Sequence, residues 1–188
     1  FYGQLASNIL GINNSINWSS SIQIETKKTN LFKIPSGQRI QSLIQIGLAS
    51  KLEEEIIFTN SVMNKDIAID TLNLAEKFNL AYTQLKIVNK LEKYGVDLPT
   101  KFYYPTPLWK PLNDFNIEPE LLYAFMHQES MFNINAKSKQ GAMGLMQVLP
   151  STAKFITKSK DVKRNNKNIL KIPEINLEVG QEYIEYLN

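Results

Sequence analysis

Apolar side chains in the first hundred residues recur at intervals of three and four, the spacing of one buried helix face. Three amphipathic helices are predicted, over residues 40–56, 66–78 and 80–94. Gly95 follows the third helix and suits the left-handed conformation that ends many helices. Because alternating strand-like patterns are almost absent, we expect an all-α fold.

Successive helices of this kind are typical of helical-repeat arrays, although no clean repeat period is visible. We therefore expect residues 1–98 to form a helical-repeat and linker region. Four of the eight prolines then fall within thirteen residues, at Pro99, Pro105, Pro107 and Pro111. Proline cannot continue a helix, so residues 99–112 are predicted to be a linker and residues 113–188 a second domain.

The second domain is predicted to begin with a helix at Pro119, because proline suits a first helical turn and the acids beside it suit the helix dipole. Leu122, Phe125, Met126 and Glu129 follow at i, i+3, i+4 and i+7. This spacing places the Glu129 carboxylate on the apolar stripe of the helix.

Glu129 is the only acidic residue between Glu120 and Asp161. Partial burial on an apolar stripe disfavours the charged form, so we expect the pKa of Glu129 to be raised. A carboxyl group that holds its proton near neutral pH can act as a general acid. The structural alternative is an ion pair with Lys137 or Lys139.

The segment after Glu129 is predicted to be a loop, with another helix beginning near Pro150. It carries uncharged hydrogen-bonding side chains, namely Ser130, Asn133, Ser138 and Gln147. Such groups suit sugar hydroxyls and acetamido groups rather than phosphates. Gly144 is followed by Leu145, so the glycines do not form a phosphate-binding loop.

Several of these residues also have structural interpretations. Ser130 and Ser138 could cap a helix end and a turn, and Asn133 is expected to bond its own backbone. Phe132 is expected in the core, whereas Met146 fits core or cleft equally well.

Residues 129–153 read E-S-M-F-N-I-N-A-K-S-K-Q-G-A-M-G-L-M-Q-V-L-P-S-T-A. This run resembles the signature of the soluble lytic murein transglycosylases, in which a lysozyme-like catalytic domain follows a helical superdomain. The resemblance implies that Glu129 is catalytic and that no cofactor or metal is needed. Candidate substrate-binding residues are Ser130, Ser138, Gly141, Met146, Gln147 and Glu178.

The resemblance also implies a mechanism with one carboxylate. In that family a single Glu protonates the leaving oxygen of the MurNAc–GlcNAc bond and then removes the proton from the C6 hydroxyl that attacks C1. The product is 1,6-anhydroMurNAc, which makes the enzyme a lyase. The alternative is a goose-type lysozyme that hydrolyses the bond with a second acid, for which Asp161, Glu174 and Glu178 are candidates.

Two weaker similarities accompany the signature. The opening residues 1–6 resemble a motif of the family's helical superdomain, and residues 172–184 resemble its second block, where an Asn and a Gly precede a helix. Glu178 and Glu182 could also form an ordinary solvated helix face. The block that usually follows is absent before Asn188, so we expect an incomplete lysozyme-like domain; a non-catalytic, glycan-binding scaffold is the third possibility.

Composition and charge exclude several classes of binding partner. The formal net charge is +3, and the basic cluster of residues 158–167 is predicted to be a solvated loop. Nucleic-acid motifs and an apolar run long enough for a membrane span are absent. Without cysteine, and with His127 expected to be structural, no metal site is predicted. Peptidoglycan strands are the expected partner, and the periplasm is the expected compartment.

Overall fold

A computed structural model of the protein describes residues 29–59, 63–157 and 167–187. The chain divides into two compact units, Phe1–Pro107 and Leu108–Asn188. The division falls inside the proline-rich segment that was expected to link two domains. The motif of residues 1–6 and most of the basic cluster, residues 158–166, lie outside the described residues.

In the first unit, the described residues form four helices and two short 3-10 turns. The helices are α1 (Pro35–Gln45), α2 (Ala49–Thr59), α3 (Lys65–Lys77) and α4 (Ala81–Lys93), and the turns are Leu31–Lys33 and Thr100–Tyr103. α1 packs against α2, and α3 packs against α4. The second and third predicted helices are therefore confirmed as α3 and α4.

The prediction of a single helix over residues 40–56 is wrong, because a turn at Gly47 separates α1 from α2. Gly47 has φ +70°. The N–H of Leu48 donates to the carbonyl of Leu43 (3.0 Å), and that of Gly47 donates to the carbonyl of Ile44 (3.2 Å). This is a Schellman motif, in which the left-handed residue satisfies the last carbonyls of the helix. The apolar spacing continues across the break, and so the pattern concealed it.

One apolar core joins the four helices and also includes residues from the proline-rich segment. Its fully buried side chains include Ile40, Ile56, Leu72, Leu91 and Phe102. The carbonyl of Phe102 accepts a hydrogen bond from Nε2 of Gln84 at 2.9 Å. The first part of the expected linker therefore packs as part of the first unit.

The part of the second unit that the structure describes contains three helices, a 3-10 turn and a long structured loop. These are α5 (Pro119–Ser130), α6 (Pro150–Ile156), the turn Lys167–Lys171 and α7 (Pro173–Leu187). Isolated β-bridges, and no strands, occur among the described residues, which confirms the all-α fold. Within the same ranges, every helix is too short or too polar to cross a membrane.

Substitution of Gly37 tests the close contact between α1 and the turn that precedes it. A Cβ at this position would lie 1.7 Å from the backbone oxygen of Leu31. Because backbone must move to admit it, Gly37→Ala should lower the free energy of unfolding by about 2–3 kcal/mol. Exposed Ser42 on the same helix is the control, and Ser42→Ala should change it by less than about 0.5 kcal/mol in urea denaturation. Equal stability of the two variants would contradict this contact.

Candidate active site

α5 presents Glu129 at its exposed C-terminal end. The helix begins with Pro119 in its first turn, as predicted, and buries Leu122 and Met126 completely. Glu129 is exposed, and Phe125 is 38% exposed. The expected burial of the carboxylate is therefore wrong. The core contacts the side of the helix that carries Leu122 and Met126, whereas the side that carries Phe125 and Glu129 faces outward.

The chain reverses immediately after Glu129. The Ser130 hydroxyl donates back to the carbonyl of Met126 at 3.1 Å. Met131 and Phe132 both have positive φ, 50° and 63°, and the N–H of Phe132 donates to the carbonyl of Met126 at 3.3 Å. Two consecutive non-glycine residues in this region cost free energy that surrounding contacts must offset.

Burial of Phe132 supplies part of the free energy that compensates for this strained turn. Its side chain is 2% exposed, which confirms the core placement. The His127 ring lies edge to face against it, with ring centroids 6.0 Å apart. Burial of an aromatic ring contributes about 2–3 kcal/mol, enough to compensate for a strained turn.

The loop after this turn folds around Met143. Met143 forms antiparallel bridges with both Lys137 and Val148. Its N–H and carbonyl exchange hydrogen bonds with Val148 at 3.0 and 3.1 Å. The predicted loop is thus confirmed, but it is a compact, hydrogen-bonded structure.

Ser138 closes the turn at the tip of this loop. Its Oγ accepts from the N–H of Ala142 at 3.0 Å, and its own N–H donates to the Ala142 carbonyl at 3.0 Å. Gly141 lies inside this turn with φ +90°, and a Cβ added there would meet nothing within 4 Å. The side chain of Ser138 therefore has a structural role whether or not it also contacts a ligand.

Gln147 adopts a left-handed conformation, with φ 46°. Its Nε2 donates to the carbonyl of Gly144 at 2.9 Å, and its backbone N–H donates to the same oxygen at 3.3 Å. The half-buried side chain is thus folded over the G-A-M-G-L-M-Q turn.

Asn176 on α7 holds this turn from inside the unit. It is fully buried. Its Nδ2 donates to the carbonyls of Met143 (2.9 Å) and Leu170 (2.8 Å), and its Oδ1 accepts from the N–H of Met146 (2.7 Å). A side-chain amide can satisfy both donors and acceptors at once, which this site requires.

Glycines allow the turn and α7 to approach each other. A Cβ on Gly144 would lie 2.3 Å from the Leu170 oxygen and 2.5 Å from Asn176 Nδ2. Gly180 on α7 contacts the Met146 side chain, whose Cγ would lie 2.7 Å from an added Cβ. Met146 is 9% exposed and is thus mostly a packing residue. The expectation that an Asn and a Gly precede this helix is wrong, because Asn176 and Gly180 lie inside α7.

Glu178 lies elsewhere on α7 and bonds the segment that leads into α5. It is 8% exposed, so it does not belong to a solvated helix face. Its oxygens accept from the N–H of Asn113 (3.1 Å), Nδ2 of Asn113 (3.0 Å) and Nε2 of Gln181 (3.2 Å). Gln181 also bonds the backbone of Asp114 and Asn116. These contacts give Glu178 a structural role at the entry to α5.

The structure thus brings Ser138, Gly141, Met146 and Gln147 into one loop and places Glu129 and Ser130 at the helix end just before it. Asn176 and Gln181 were missed as supporting residues. The local sequence contains no signal for them, because Asn176 bonds Met146, 30 residues away, and Gln181 bonds Asn116, 65 residues away. Among the described residues, no cluster of metal-ligating side chains occurs.

The second unit is similar to a known protein family. Residues 108–188 match the family model described as "Transglycosylase SLT domain". The fold of the chain is that of solved soluble lytic transglycosylases. It superposes on the 70-kDa enzyme from Escherichia coli with a TM-score of 0.73 at 20% identity, covering 99% of this chain and 30% of that one. An inactive Glu-to-Gln mutant of Slt from Pseudomonas aeruginosa gives a TM-score of 0.72 at 19% identity, with the same coverage.

Residues 108–188 therefore belong to the transglycosylase SLT family, with its lysozyme-like all-α fold. The chain is 37% identical over 118 residues to the soluble lytic murein transglycosylase of Escherichia coli K12, covering 61% of this chain and 15% of that protein. It is 31% identical over 77 residues to the membrane-bound lytic murein transglycosylase E of Buchnera aphidicola, covering 40% of this chain and 35% of that protein. The aligned part is thus a minor part of each relative.

Gly144 and Gly141 form a matched pair that tests the packing of the loop on α7. Both have positive φ, but only Gly144 has neighbours within reach of an added Cβ. Gly141→Ala should cost about 1–2 kcal/mol of unfolding free energy from backbone strain alone. Gly144→Ala should cost about 1–3 kcal/mol more through overpacking. Urea denaturation measures both, and equal losses would contradict the close contact with Asn176.

Glu178→Gln tests the structural role of that carboxylate. An amide nitrogen would replace one of the two oxygens and face a donor of Asn113, so the variant should lose about 1–3 kcal/mol of unfolding free energy. Glu185 is exposed on the same helix, and Glu185→Gln should be neutral. A stable Glu178→Gln protein with weakened binding to glycan strands would instead identify Glu178 as a substrate contact.

Proposed function

We propose that this protein is a lytic transglycosylase of peptidoglycan. The observation that carries the proposal is the accessible Glu129 carboxylate at the end of α5, followed directly by a structured loop of uncharged polar groups. Membership of residues 108–188 in the SLT family and the names of the relatives support it. The substrate is the MurNAc–GlcNAc β-1,4 bond of the glycan strand.

Glu129 is proposed to act first as the acid and then as the base. Its carboxyl proton is transferred to the glycosidic oxygen as the bond to C1 breaks, and the GlcNAc residue leaves with a new hydroxyl. The carboxylate then accepts the proton of the C6 hydroxyl as that oxygen attacks C1 of the same sugar. The products carry a 1,6-anhydroMurNAc end, no water is consumed, and the carboxyl group returns to its starting state.

Exposure of Glu129 is compatible with this chemistry if the substrate itself excludes water. A sugar ring bound over the carboxylate would remove solvent from it, and desolvation favours the protonated acid. The substrate's acetamido group is proposed to stabilise the oxocarbenium-like state, in place of the second carboxylate that most glycosidases use.

The loop is proposed to bind the sugars beside the reacting bond. Ser130, Ser138, Gly141, Met146 and Gln147 remain the candidate contacts. Because peptidoglycan lies outside the cytoplasmic membrane, we further propose that the protein acts in the periplasm on glycan strands.

Replacement of the carboxyl group gives the direct test. Glu129→Gln is nearly isosteric but cannot donate and recover a proton, so release of anhydro-muropeptides from purified peptidoglycan should fall at least about 100-fold. Exposed Glu120 lies on the same helix, and Glu120→Gln should retain full activity. Chromatography with mass detection of the released products measures both. Equal turnover by Glu129→Gln and the parent protein would overturn the catalytic assignment.

A further inference from the structure

We propose that Asn176 is a positioning residue for this reaction and sets the orientation of the Gln147 side chain through the turn between them. The inference rests on the proposed function of the SLT domain. It assigns a role in the reaction to a residue that lies on α7, outside the signature of residues 129–153.

The hydrogen bonds of Asn176 determine which atoms it controls. Its Oδ1 and Nδ2 bond the Met146 N–H and the Met143 carbonyl, the two groups that flank Gly144 and Leu145. Its third bond, to the carbonyl of Leu170, ties the same amide to the turn before α7. All three partners are backbone groups, and the side chain is fully buried. The backbone of the Gly144 turn is therefore fixed from both sides.

Gly144 transmits this constraint to Gln147. Its carbonyl accepts from Nε2 and from the backbone N–H of Gln147. A carbonyl that turned away would release both bonds. The left-handed backbone of Gln147 makes this arrangement sensitive, because a non-glycine residue holds φ 46° only while neighbouring contacts compensate for the strain.

The consequence is a side chain with one free polar end. Nε2 of Gln147 is used within the turn, and within the described residues no hydrogen bond reaches its Oε1. That oxygen is available to accept from an N–H or O–H of the glycan. Small displacements of such a group cost substantial rate, because catalysis depends on alignment of the reacting bond.

A double-mutant cycle in the full-length protein tests this coupling. The variants are Asn176→Ala, Asn176→Asp and Gln147→Ala, alone and combined, and kcat/KM is measured on soluble glycan strands by release of anhydro ends. Gln147→Ala should reduce kcat/KM about tenfold in the parent protein but less than about threefold in either Asn176 background, because residues that act as one unit are not additive. Asn176→Asp keeps the shape and the Met146 contact but replaces the donor to Met143 and Leu170 by an oxygen, so it removes those two bonds without opening a cavity.

Val179→Ala is the matched control. Val179 is a buried apolar residue on the same helix. This variant should lower the thermal midpoint while leaving the effect of Gln147→Ala at about tenfold, since the Val179 side chain makes no hydrogen bond to the Gly144 turn.

Three outcomes would overturn the inference. An undiminished effect of Gln147→Ala in the Asn176→Asp background would reduce Asn176 to a stabilising residue. No effect of Gln147→Ala in the parent would remove the group that Asn176 is said to orient. Equal loss of coupling in the Val179→Ala background would make it a general effect of instability. Failure of the proposed function is distinct, because it would appear as Glu129→Gln retaining the activity of the parent protein.

Discussion

The second unit depends on hydrogen bonds from buried polar side chains of α7. Asn176 bonds the turn within the loop, whereas Glu178 and Gln181 bond the segment that leads into α5. Each unpaired buried polar group would cost about 1–3 kcal/mol, so the two segments are fixed relative to α7. Because one segment precedes α5 and the other follows it, α7 holds the chain on both sides of the helix that carries Glu129.

Several residues of the signature have a strained backbone that neighbouring contacts stabilise. Met131, Phe132 and Gln147 are non-glycine residues with positive φ, and all three belong to the signature. The buried Phe132 ring and the double contact of Gln147 with Gly144 compensate for the cost. Strain at such positions is common where a site must hold polar groups in a defined arrangement before its ligand arrives. The proposed chemistry needs such an arrangement, because one carboxylate must serve twice without moving far.

The sequence predicted α3 to α6, because apolar periodicity and a proline in the first turn are local signals. For α7 it predicted only that an Asn and a Gly precede a helix, whereas the helix begins at Pro173 and contains both. It failed at Gly47, where the same apolar spacing continues through a helix break, so periodicity alone contains no sign of the turn. It also failed at Glu129, because the apolar spacing continues to the end of the helix whereas the core covers only Leu122 and Met126 and leaves Phe125 and Glu129 exposed. The role of Asn176 could not be derived from its neighbours in sequence. Its partners Met143 and Met146 are about thirty residues away and meet it only in the folded chain.

In the proposed reaction one carboxylate is sufficient, because the sugar's own C6 hydroxyl replaces water as the nucleophile. The most direct measurement is to digest purified peptidoglycan with the full-length protein in water labelled with heavy oxygen, followed by mass spectrometry of the new chain ends. The proposed reaction should leave 1,6-anhydroMurNAc ends that carry no label. Reducing ends that carry the heavy oxygen would show hydrolysis by an activated water and would contradict it.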